Sequence, residues 1–158
     1  MSPGALPSYA RDGMRKHMML GLFLMAVGCG PGAEGDDMSC LDPLPLDCRP
    51  GFPPTYDQIF DQVLSVSCGA QGNSGACHGT AGAKGDLVLA ERDQAHAYLL
   101  GEMGARARII PGEPECSLLV QRLESEDASF RMPLGTQPLS EGQLCAIRQW
   151  IANGAERE

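Results

Sequence analysis

Cysteine placement constrains this chain more than any other feature. Seven cysteines occur in 158 residues, and two of them, Cys68 and Cys77, enclose the eight-residue stretch Gly69-Ala-Gln-Gly-Asn-Ser-Gly-Ala76. His78 follows directly. A stretch this rich in glycine has no preference of its own for helix or strand. Its shape must come from whatever the two thiols are bonded to. Three glycines make closure of the loop easy, whether the two sulfurs bond to each other or to a third group.

The N-terminus points to export. Arg11, Arg15 and Lys16 precede a short apolar run from Met18 to Val27, too short to span a bilayer as a helix and suited to the apolar region of a signal peptide. The run ends in Ala26-Val27-Gly28-Cys29, which resembles the lipobox of bacterial lipoproteins. That resemblance implies a signal peptide over residues 1–28 and lipidation of Cys29. The expected location is then the periplasm or cell surface, with the chain held to a bacterial membrane through its lipid. Setting Cys29 aside leaves Cys40, Cys48, Cys68, Cys77, Cys116 and Cys145. An even number suits an oxidising compartment. Grouping by sequence pairs Cys40 with Cys48, Cys68 with Cys77, and Cys116 with Cys145.

Twelve Lys and Arg against 20 Asp and Glu give a net charge of −8, which argues against a nucleic-acid surface. Residues 29–52 carry Gly and Pro throughout and no apolar period, so they read as a flexible tether. A domain over residues 53–156 follows. Thr55 and Gln58 form a capping box for a first helix, whose apolar face is Tyr56, Ile59, Phe60, Val63 and Leu64. A short helix is expected over Asp93–Leu100, capped by Asp93 and stopped by Gly101, with His96 in solvent on its polar start. Another begins with Pro114 in its first turn and buries Leu118, Leu119 and Leu123. The last is capped by Ser140 and Gln143, stapled by Leu139 and Leu144, and stopped at Gly154. No strand-like alternation of useful length occurs. The fold class is all-α, with long loops. Aromatic residues are only 5% of the chain, so the core is aliphatic or is completed by a bound group.

Two of those long loops hold the residues with chemistry. Two thiols ending in a Cys-His pair are what covalent haem attachment uses, the imidazole ligating iron. Met132, followed by Pro133, is a candidate for the opposite axial position, and Met103, between Gly101 and Gly104, is a weaker one. The competing account is a disulfide between Cys68 and Cys77. A zinc site fits less well, because adjacent Cys77 and His78 diverge. Nucleophilic catalysis by that pair fails for the same reason. There is no phosphate-binding glycine loop and no paired-carboxylate signature, so the chain reads as a non-enzyme.

Taken together, these residues resemble the class I cytochrome c-like domains, in particular the lipoprotein-borne planctomycete-type group. The resemblance runs from about Pro53 to Ala155. It rests on the first helix leading into the cysteines, Cys77-His78-Gly79, Gly85-Asp86-Leu87-Val88-Leu89, Pro111-Gly112-Glu113-Pro114, Ser117-Leu118-Leu119-Val120, Met132-Pro133, Leu139-Ser140 and Trp150-Ile151-Ala152-Asn153-Gly154-Ala155. It implies haem c on thioethers from Cys68 and Cys77, with His78 and Met132 as iron ligands, and one-electron transfer to a redox protein partner. The chain departs from the family in placing eight residues, not two, between the thiols. A haem-free lipoprotein, stapled by disulfides and serving as a binding or structural module, is the alternative.

Overall fold

The structure, a computed structural model, describes residues 39–69 and 77–158. The expected signal peptide, Cys29 and the first part of the tether lie outside the described residues. Among these residues the secondary structure is helical, with no strand, and the domain is all-α.

Helix α1, Tyr56–Ile59, starts where the sequence places it. Thr55 is extended, and its hydroxyl accepts from the Gln58 amide at 3.5 Å. The helix then widens into a π-helix over Phe60–Cys68, which the apolar spacing does not disclose. Its last bond runs from the Gly69 amide to the Leu64 carbonyl, five residues back, at 2.7 Å. The expected face is buried all the same: Tyr56, Ile59, Phe60, Val63 and Leu64 all enter the core.

Helix α2 covers Arg92–Leu100. Its N-cap is Glu91 rather than Asp93, and Asp93 instead lies in the first turn, paired with Arg157. Gly101 ends it in the left-handed region, φ +79°. His96 is not in solvent. Its ring packs edge-on against Tyr56 at 4.7 Å, lies 6.2 Å from Trp150, and its Nε2 is 2.9 Å from the Ala155 carbonyl. A residue on a polar stretch is partly buried here because the C-terminal segment folds back over it.

Helix α3, Leu118–Glu124, begins later than Pro114. The cause is Ser117, fully buried, which spends its hydroxyl on the Ile110 amide at 2.9 Å and the Glu113 carbonyl at 2.8 Å. Those bonds hold residues 110–117 as a turn and leave no room for an earlier helical start. Helix α4, Glu141–Ala152, carries the full capping box between Ser140 and Gln143, and Leu139 and Leu144 are both buried beside it. The buried Arg148 of α4 donates to Glu124 of α3 at 2.6 Å, joining the two helices.

The disulfides correct the pairing that sequence grouping gives. Cys40 is bonded to Cys116 and Cys48 to Cys145, across separations of 76 and 97 residues. Cys68 and Cys77 are free. The supposed tether therefore ends at its first disulfide. From Cys40 onward it is a strap laid along the domain: the Leu41 amide donates to the Glu115 carbonyl, Gly51 to Gly142, and the Gln149 side chain to the Leu46 and Cys48 carbonyls. At the Gly51–Gly142 crossing a Cβ on Gly142 would come within 3.0 Å of the Gly51 backbone, so the strap rests directly on the first turn of α4.

Removing the longer cross-link with Cys48→Ser and Cys145→Ser together is expected to cost about 4 kcal/mol of unfolding free energy. Guanidinium denaturation checks this, and a loss below about 1 kcal/mol would mean the strap holds without its covalent tie.

Candidate functional site

The candidate site gathers at the two ends of the Cys68–Cys77 stretch. Leu89 brings those ends together. Its amide donates to the His78 carbonyl at 2.7 Å. Its carbonyl lies so close to Gly69 that a Cβ there would sit 2.6 Å from the oxygen. One backbone residue thus touches both Gly69, directly after Cys68, and His78, directly after Cys77. Only glycine permits that approach on the Gly69 side.

The segment after His78 is wound tightly. The Lys84 amide returns to the Cys77 carbonyl at 2.7 Å, and the Ala83 amide to the Gly79 carbonyl at 2.9 Å. Ala83 and Asp86 are held at φ +36° and +55°, conformations costly for residues with a Cβ. Leu87, Val88 and Leu89 then turn inward and are buried. Strain followed by an apolar anchor fixes the position of His78.

The His78 side chain is partly buried, and its Nδ1 is fully buried without a hydrogen-bond partner. Burial pushes its pKa below the usual histidine value; the Leu87 and Lys84 backbone beside it acts in the opposite sense, and the Arg108 and Arg122 charges lower it further. The result is a neutral imidazole, the form that ligates metals. An orphaned buried ring nitrogen is costly, and a site built around a ligand accounts for that cost.

Cys68 closes the π-helix and packs against the core, while Cys77 is exposed. Burial, with a smaller contribution from the neighbouring Cys77, pushes the Cys68 thiol up to about 11. Met132 also packs against the core, whereas Met103 is about half exposed. The Met132 amide donates to the Arg122 carbonyl at 2.8 Å. Arg122, whose charge acts on His78, is thereby tied to the Met132 segment through its own carbonyl. Cys40, Cys48, Cys116 and Cys145 are occupied in disulfides and offer no thiol to the site.

Sequence reasoning named the four candidate ligands but missed Leu89, Gly69, Arg108 and Arg122. Gly69 and Leu89 leave no signal beyond a glycine and a leucine. The arginines leave none, since what distinguishes them is the company they keep in space.

The donor set fits a covalently held haem. It offers two unoxidised thiols in a chain whose other described cysteines are bridged, a neutral imidazole and a thioether on the core. No group of three or more His, Cys, Asp or Glu able to hold a bare metal ion occurs among the described residues.

Residues 75–133 match the family model of planctomycete cytochrome C. The matched segment contains Cys77, His78 and Met132 and begins after Cys68. No curated protein and no solved structure matches the chain. The match supports a cytochrome c-like domain.

Two predictions follow from this geometry. Gly69→Ala is expected to cost about 1–3 kcal/mol through overpacking against Leu89, and to speed hydrogen exchange at the Leu89 amide. Unchanged exchange there would remove Leu89 as the joint. In the haem-free chain, iodoacetamide should modify exposed Cys77 well before Cys68 at pH 7. The Cys68 rate should climb about tenfold per pH unit until pH reaches about 11. Equal rates for the two thiols at neutral pH would contradict the burial of Cys68.

Proposed function

We propose that this chain is an exported, lipid-anchored electron carrier whose domain holds one haem c. Cys68 and Cys77 would hold the haem covalently through their sulfurs. His78 and Met132 would ligate its iron. When bound, haem supplies a one-electron iron couple.

The chain's own residues do the rest. His78 is held by the Leu89 amide and the wound 77–84 segment, and it offers a neutral imidazole. Met132 brings a soft sulfur, which favours ferrous iron and raises the potential. The apolar core behind both excludes water and raises it further. The role is that of a carrier and not an enzyme, and a redox protein is the partner. Lipidation at Cys29 places the domain in the periplasm or at the cell surface.

One observation carries this reading: Cys68 and Cys77 remain unpaired in a chain that bridges its other four described cysteines. The haem-free reading draws on the same two disulfides, which staple the domain without a cofactor. Its third bridge, Cys68 to Cys77, is not formed.

Protein purified from its own host and reduced with dithionite should show a sharp α-band, and the colour should stay with the protein through acid-acetone extraction. A featureless visible spectrum would sink the proposal. Met132→Ala should lower the reduction potential; an unchanged potential would take Met132 out of the ligand set and leave the haem in place.

A further inference from the structure

In a chain with 20 acidic residues against 12 Lys and Arg, an arginine without a carboxylate partner calls for an explanation. Arg92, Arg148 and Arg157 all pair with acids. Arg108 and Arg122 pair with none among the described residues; Arg49 and Arg131 also lack a carboxylate partner, but Arg108 and Arg122 are set apart by how they are anchored. Both are partly buried, and main-chain oxygens hold them instead. Arg108 donates to the Gly85 carbonyl at 2.5 Å and to the Arg106 carbonyl. Arg122 donates to the Phe130 carbonyl at 3.3 Å and lies over the Phe130 ring at 4.0 Å.

Those anchors place one arginine beside the wound segment and the other beside the Met132 segment. Gly85 belongs to the segment wound back onto Cys77 and His78. Phe130 lies two residues before Met132, whose amide is bonded to Arg122 itself. The two positive charges act on each other, and both act on His78. Arg106 adds to the repulsion at Arg108, and Asp86 offsets it at longer range without forming an ion pair. Like charges gathered in a partly buried place are unfavourable unless an anion joins them. Each guanidinium also has N–H groups beyond those its anchors use.

Building on the haem reading, we propose that Arg108 and Arg122 receive the two propionate carboxylates that a haem carries on one edge. The guanidinium fork matches a carboxylate in charge and in geometry. Anchored by main-chain carbonyls, the two forks are positioned before the ligand arrives, so little side-chain freedom is lost on binding. They fix the edge of the ring relative to His78. They also balance two negative charges that would otherwise favour ferric iron.

The test uses the full chain, matured with haem, as wild type, R108Q, R122Q and, for comparison, R49Q at an exposed position on the strap. Resonance Raman spectra report the propionate bending bands, and spectroelectrochemistry gives the potential. R108Q and R122Q should shift the bands and lower the potential, while R49Q leaves both unchanged. Bands and potential in R108Q and R122Q that match those of R49Q would overturn the assignment and leave the haem reading standing. A wild-type protein without haem would overturn both. If the glutamine variants fail to accumulate, R108K and R122K keep the charge and lose the fork. Shifted bands at near-wild-type potential then support the assignment, and unmoved bands refute it.

Discussion

Which cysteines are bonded to which governs this molecule. Two disulfides, each bridging most of the domain's length in sequence, tie the strap of residues 40–52 to the turn before α3 and to the first half of α4. Closing loops that long removes much of the freedom of the unfolded chain, and a domain poor in aromatic residues gains most from it. The same bonds consume four thiols. Cys68 and Cys77 are left over, at the end of the π-helix and at the start of a strained turn. Their availability is a consequence of how the rest of the chain is stapled.

Around those thiols the backbone does more than the side chains. The π-helix ends on the bond from Gly69 to Leu64, which delivers Gly69 against the Leu89 carbonyl. Leu89 in turn donates from its amide to the His78 carbonyl. Burial of Leu87, Val88 and Leu89 offsets the positive φ values at Ala83 and Asp86. Apolar burial on one side of the joint thus stabilises an unfavourable backbone on the other, and the beneficiary is the position of an imidazole with a buried, unpartnered nitrogen. The similarity to planctomycete cytochrome C over residues 75–133 covers this wound segment, α2, α3 and Met132.

Local chemistry was legible in the sequence. Thr55 and the Ser140–Gln143 box mark helix starts because a cap and its partner are three residues apart. Gly101 and Gly154 mark ends because a left-handed residue is needed there. The apolar face of the first helix was also legible, since burial follows the hydrophobic period even where the helix widens. What failed was chiefly non-local. Sequence proximity suggested Cys40 with Cys48, yet each finds a partner more than 70 residues away. His96 is drawn inward by the returning C-terminus. Ser117 is the local exception: it delays α3 by bonding Ile110 and Glu113, a competition that the hydrophobic period does not register. In the site, the ligand types were readable from Cys77-His78 and Met132. The Leu89 joint and the paired arginines were not, because a carbonyl in close contact and a missing carboxylate leave no pattern along a chain.

The central claim is that Cys68 and Cys77 are bonded to a tetrapyrrole and not to each other. Peptide mass mapping of native protein, digested without reduction, addresses it directly. The account predicts a single haem mass attached covalently to the peptides bearing Cys68 and Cys77, together with intact Cys40–Cys116 and Cys48–Cys145 links. A peptide in which the two sulfurs are bonded to one another, carrying no haem, would contradict it.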